Sequence, residues 1–147
     1  PADALYRTDE QPAAATRLPR PAIPSDAVIF AIDRCNAGTD GIAISGWAFS
    51  PHFPLSSTET ILLLAAPQDT FACHPRRINR PDVLQAFTAT SAGESLPPKL
   101  RSELAHAGFS AWISRSSLPK NTVLALEIQL EGNGSALRKP CGITIHV

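Results

Sequence analysis

The sequence predicts a mainly β chain: an antiparallel, immunoglobulin-like two-sheet sandwich of about seven strands, with one or two short helices inserted between strands. Three observations predict it. Apolar residues recur in short alternating or continuous runs, the runs are bounded by Gly-, Pro- and Asn-rich turns at short spacing, and helical signals are confined to two brief stretches. The 147 residues, 44% of them hydrophobic, suffice for one ordinary core and not for two. We therefore expect a Pro-rich linker or tail over 1–27 and one domain over 28–147.

In the first 27 residues Pro12, Pro19, Pro21 and Pro24, with the Ala13-Ala14-Ala15 run, carry neither a helical nor an alternating apolar pattern. Each proline removes a backbone donor, so extended chain lying along the domain surface is expected there. Val28-Ile29-Phe30-Ala31-Ile32 is β-rich and is closed by the turn formers Asn36 to Gly41. The run Gly41 to Phe49 alternates until Gly46, where a bulge is expected that would turn Trp47 toward the core. Thr60 to Ala66 is continuously apolar and short, which reads as a central strand buried on both faces. Phe71 to His74 returns as a hairpin partner.

Two helices follow. Asp82 with Gln85 three residues later makes a capping-box pattern, D-x-x-Q, for a helix Asp82 to Ala89 carrying Val83 and Phe87 on one side. Pro98 opens a second, Pro98 to Ala107, with Gly108 as its left-handed stop. Phe109, Ala111 and Ile113 then alternate against Ser110, Trp112 and Ser114. Leu124, Leu126, Ile128 and Leu130 face inward while Glu127, Gln129 and Glu131 face water, and Gly132-Asn133-Gly134 turns the chain into a last strand to Val147.

Thirteen basic and thirteen acidic side chains cancel, so the field that draws proteins to nucleic acid or acidic membranes is missing. No run of about 18 apolar residues is present, so direct membrane insertion of this stretch is not expected. The first 27 residues lack the apolar centre of a secretory signal. Pro1 at the start and the lack of Met are expected of a processed protein or a piece of a longer one. Cys35, Cys73 and Cys141 are odd in number and widely spaced, with no C-x-x-C and no finger-like Cys/His spacing, so neither metal nor cofactor is expected. Three small buried residues is the first reading; a disulfide between two of them, implying an oxidising compartment, is the second.

The series Ile42-Ala43-Ile44-Ser45-Gly46-Trp47-Ala48, then Arg80-Pro81-Asp82-Val83, then Ala107-Gly108-Phe109, then a Leu-rich hairpin resembles a bacterial accessory module. Such modules are immunoglobulin- or fibronectin-III-like β-sandwiches, appended to glycosyltransferases and to membrane proteins of surface-polysaccharide assembly. The resemblance spans residues 28–147; the Pro51 to Ser57 loop and the Ser91 to Ala107 insertion depart from it. It implies a non-catalytic partner domain, and we expect its role to be substrate presentation or contact with a glycan or anionic sugar through Trp112 and the arginine corner. Alternatively the domain is purely structural and packs in cis on a parent membrane or transferase domain. It also implies a bacterial cell envelope, on the extracytoplasmic side of a membrane-anchored parent.

The residues allow their own reading of the roles. Gly46, Trp47, Pro81, Asp82, Gly108 and Phe109 are expected to be structural: Pro81 forces Arg80 extended, Asp82 starts a helix, and Phe109 and Trp47 anchor the core. Arg76, Arg77 and Arg80 lie within five residues and are the candidate fork for a carboxylate or phosphate; a solvated basic sheet edge is the plainer alternative. Trp112, opposite in parity to Phe109 and Ile113, is the candidate platform for a sugar ring, against burial beneath the second helix. No catalytic residue is expected. His52, His74, His106 and His146 fall in unrelated places without H-E-x-x-H or G-x-S-x-G, and Glu127 and Glu131 would stand about 13 Å apart at strand rise, too far for a glycosidase pair.

Overall fold

A computed structural model of the chain describes residues 3, 5–7, 22–90, 94–132 and 134–147. The strands are β1 (Leu5–Arg7), β2 (Ile23–Pro24), β3 (Ile29–Ala37), β4 (Gly41–Phe49), β5 (Glu59–Ala65), β6 (Thr70–Cys73), β7 (Arg76–Ile78), β8 (Gly108–Ser114), β9 (Val123–Gly132) and β10 (Ser135–His146). Two helices, α1 (Pro81–Thr88) and α2 (Pro98–Glu103), lie between β7 and β8. One sheet runs β1-β6-β5-β9-β10-β2 and the other β3-β4-β8-β7. The seven expected strands are all present; β1, β2 and β7 are the short additions.

The sandwich core is what the alternation builds. Ile42, Ile44 and Ala48 of β4 and Phe109, Ala111 and Ile113 of β8 meet Leu62 and Leu64 of β5 and Leu124, Leu126, Ile128 and Leu130 of β9. Ile61, Leu62, Leu63 and Leu64 are all fully buried, so β5 is covered on both faces, as its unbroken apolar run requires. A second cluster lies on the outer face of the four-stranded sheet. There α1, α2 and the 3₁₀ turn Leu104–His106 that follows bring Val83, Leu100 and Leu104 against Phe49, with Trp47 and Phe87 at its margin.

Several expectations are corrected. Gly46 makes no bulge: β4 keeps its alternation through it, and the register shift lies on β3 between Ile32 and Arg34. Trp47 therefore stays on the outer face, half-buried, stacked on Phe49 at 6.0 Å and edge-on to Phe87 at 5.5 Å. What Gly46 supplies is closeness, because a Cβ there would lie 2.1 Å from the Ala31 carbonyl oxygen. Gly108 is no left-handed stop either; the positive-φ glycines are Gly134 and Gly142. α1 begins at Pro81, which places Asp82 inside the first turn and not at the cap, and the helix shows no side-chain capping bond. Gln129 and Glu131 do not face water but are buried, joined by Gln129 Nε2 donating to Glu131 Oε2 at 2.8 Å. Arg138 closes that outer face by donating twice to Gln129 Oε1, at 2.9 and 3.1 Å.

The stretch read as a linker enters the sheets at both of its described ends. Leu5–Arg7 pairs antiparallel with β6, and Ile23–Pro24 pairs parallel with β10. Pro12, Pro19, Pro21 and the Ala13-Ala14-Ala15 run lie outside the described residues, as does Asn133 of the last turn.

Candidate functional site

The three arginines expected to converge are separated by the strand period and by the corner. Arg77 turns its guanidinium onto the 3₁₀ turn before β5, donating to the Leu55 carbonyl at 3.2 Å and the Thr58 carbonyl at 2.6 Å. Arg80 is held by two carboxylates. Its Nε and Nη2 donate to Asp82 Oδ1 and Oδ2 at 2.9 and 2.8 Å, and Nη1 donates to Asp33 Oδ2 on the β3 bulge. Its backbone N–H donates to the Ala105 carbonyl at 2.7 Å. The side-chain stem crosses Gly108, where a Cβ would lie 2.4 Å from Arg80 Cγ.

Arg80-Pro81-Asp82 and Ala107-Gly108-Phe109 are thus one device. Gly108 lets the arginine cross the sheet, and Asp82 and Asp33 fasten it, tying α1 to the far edge strand. The bonds to Asp82 and Asp33 raise the Arg80 pKa further. The bond from Arg80 lowers the Asp82 pKa, with the near backbone N–H groups of the helix start helping. A carboxylate lowered on folding contributes stability present above its unfolded pKa and lost as pH falls through the folded one. Asp82→Asn is therefore expected to flatten the acid side of the stability profile below about pH 4. Urea midpoints of both proteins from pH 7 to 2.5 check it; an unchanged acid slope removes the pair from the account.

Arg76 is the arginine left outward, with its side chain 59% exposed and Nη2 3.8 Å from Asp3 Oδ2. Its position follows from register. Across the four-stranded sheet Arg34 pairs with Ser45, Ser45 with Ser110, and Ser110 with Arg76. Residues paired across neighbouring strands share a face, and this face is the outer one, since Ile44, Phe109 and Ala111 point into the core. The adjoining row is Asn36, Ala43 and Trp112. Ser45, Ala43, Ser110 and Trp112 are half-buried, and Arg34, Asn36 and Arg76 exposed.

Trp112 sits in the middle of this open face. Its Cη2 and Cζ2 lie 2.5 and 2.6 Å from where a Cβ on Gly41 would stand, so the indole rests on the backbone of β4 in space that only a glycine leaves. The expected alternative, burial under α2, does not occur: Trp112 stands outside the cluster the helices cover. Asp3 holds the adjacent edge. Its N–H donates to the Trp112 carbonyl at 2.7 Å and its Oδ2 accepts from the Trp112 N–H at 2.7 Å. The N-terminal segment thereby bridges both sheets, β8 through Asp3 and β6 through Leu5–Arg7, a contact for which the local sequence has no apolar signal.

A second constellation was not legible in the sequence. Where β6 leaves one sheet and β7 enters the other, His74 Nδ1 lies 2.5 Å from Glu59 Oε1. Both border a recess of about 150 Å³ with Thr58, Thr60, Arg77 and Phe109. Glu59 and His74 are 15 residues apart, and only the β5–β6 hairpin register brings them together. The Thr58 hydroxyl donates to the Pro54 carbonyl at 2.6 Å, and the Arg77 guanidinium is spent on carbonyls. The recess therefore holds a hydrogen-bonded carboxylate and imidazole, with the neighbouring Thr58 hydroxyl already engaged.

No disulfide joins Cys35, Cys73 and Cys141 in this structure; Cys73 is buried and the other two are half-buried. Burial pushes Cys73 and Cys141 up to about 12 and raises Cys35, which makes all three poor nucleophiles. Among the described residues no group of three His, Cys, Asp or Glu side chains is placed to hold a metal ion, and no helix is long and apolar enough to cross a membrane. Comparison with protein-family models, curated proteins and solved structures gives no match to this chain.

Proposed function

We propose that the chain is a non-catalytic β-sandwich accessory module that contacts carbohydrate through the outer face of its four-stranded sheet. One observation carries the reading: a half-buried indole resting against Gly41, on a half-open face with serines beside it and exposed polar side chains around them. A flat aromatic plane gives a sugar ring an apolar contact, and hydroxyl, amide and guanidinium groups around it supply directional hydrogen bonds. The resemblance of the Gly46-Trp47, Arg80-Pro81-Asp82-Val83 and Gly108-Phe109 series supports reading it as part of a bacterial cell-envelope or glycan-assembly protein. The Arg80 corner supports it by being wholly occupied in holding α1 to the sheet, which makes the motif a scaffold and not a reaction centre.

Packing on a parent domain is less favoured. Among the described residues the exposed large hydrophobics, Ile23 and Val123, pair with Leu137 and His146, near opposite ends of β10, and so do not form one patch.

Tryptophan fluorescence tests the reading. Addition of soluble glycans should change the emission, and the change should vanish in Trp112→Ala while Trp47, half-buried against Phe49 and Phe87, stays as the internal reference. A response retained without Trp112 would place the contact elsewhere; silence of the unmodified chain across neutral and acidic glycans would overturn the proposal.

A further inference from the structure

We infer that the ligand of this face is an acidic glycan, a sugar chain bearing carboxylates of the uronate type, laid across the strands from Arg34 to Arg76. The inference rests on the carbohydrate reading above and adds the charge, the direction and four further contact residues, Arg34, Asn36, Ser45 and Ser110.

Its basis is the row itself. Arg34, Ser45, Ser110 and Arg76 follow one another across β3, β4, β8 and β7. Three steps of about 4.8 Å between strands put the two arginine backbones about 14 Å apart. Two arginines therefore stand at the ends of a strip floored by two hydroxyl side chains, with Trp112 in the adjoining row. An arginine fork matches a carboxylate in two parallel hydrogen bonds, while serine hydroxyls both donate and accept, as sugar hydroxyls require.

The acids nearest the strip are already engaged. Asp33, beside Arg34, is taken by Arg80 Nη1; Asp3 accepts from the Trp112 backbone N–H at 2.7 Å and stands at the longer distance of 3.8 Å from Arg76, whose side chain remains 59% exposed. The chain as a whole is neutral, so an acidic ligand would be selected by this local pair and not by a general field.

The test compares one polymer with and without its charge: polygalacturonate and its fully methyl-esterified form, titrated against the whole chain at low ionic strength with Trp emission as readout. The acidic form should bind at least tenfold more tightly, and raising the salt should erode that advantage. Arg34→Gln with Arg76→Gln should abolish the preference while leaving the folded-state spectrum intact, since both side chains are exposed. Lys99→Gln with Lys120→Gln, away from the strip, should not. Equal binding of the two polymers overturns the acidic inference and leaves the carbohydrate reading standing. Loss of preference in the lysine control as large as in the arginine variant reduces the effect to general charge and also overturns it. No binding of either polymer overturns the acidic inference, and silence across the other neutral and acidic glycans as well overturns the carbohydrate reading with it.

Discussion

Phe109→Ala is expected to lower the unfolding free energy by about 3–5 kcal/mol, the usual cost of emptying a buried phenylalanine site. Phe109 is 1% exposed and belongs to the cluster shared by the two sheets. Its backbone is gripped on both sides, by β4 opposite Gly46 and by β7 opposite Arg77, so the surroundings have little freedom to collapse into the cavity. Against a total stability of about 5–15 kcal/mol the loss is large. Urea unfolding should show the midpoint falling steeply, whereas Val123→Ala, at a 47% exposed position, should stay within about 0.5 kcal/mol of the parent. A loss below about 1 kcal/mol at Phe109 would mean that the two sheets are not packed through it.

Gly46→Ala should be comparably damaging for a different reason. The added methyl would stand 2.1 Å from the Ala31 carbonyl oxygen and 3.1 Å from Ile32 Cα, and both are backbone, so no rotamer change relieves the overlap. β3 and β4 must separate just before the β3 bulge that carries Asp33, and with it one anchor of Arg80. The expected cost is about 3 kcal/mol or more, the upper range for overpacking. It should come with a change in Trp47 fluorescence, because Trp47 is the next residue. Gly38→Ala is the matched control: its methyl would meet the Gly41 carbonyl oxygen at 3.6 Å, an ordinary contact. Equal stability of the two alanine variants would refute the close approach of β3 and β4.

How far each feature could be read depended on the range of the interaction behind it. The inward set of β9 and the two-sided burial of β5 follow from period-two alternation and from an unbroken apolar run, which are local properties. Gly108 and Phe109 stand out as structural in the sequence too, but Gly108 serves as room for the Arg80 stem and not as a helix stop. Asp82 was read as a cap because D-x-x-Q imitates one, and Arg80 two residues earlier competes for the same carboxylate more strongly. Gln129 and Glu131 were read as solvent-facing because polar residues alternate with apolar ones there; their burial depends on what lies over that face of the sheet.

The candidate site divides in the same way. Trp112 was placed correctly on the outer face by parity alone, and Arg76, Arg77 and Arg80 were singled out by proximity in sequence. Proximity misled. Strand alternation sends Arg76 and Arg77 to opposite faces, and two carboxylates, one of them 47 residues away, claim Arg80. Arg34 carried no signal because nothing near it in sequence marks it; only the β3-β4-β8-β7 order sets it in line with Arg76.

The sequence alone determined the class of fold, the seven principal strands, the positions of two helices and which side of each long strand is apolar, because alternation and turn chemistry act over a few residues. The tertiary structure decided which strands are neighbours, that Asp3 and Leu5–Arg7 tie the two sheets together, and that the arginine corner is a brace. It also decided that an indole rests against Gly41 in the row beside the one that Arg34 and Arg76 end. Those outcomes hang on register and on contacts between residues far apart in the chain, which no local pattern encodes.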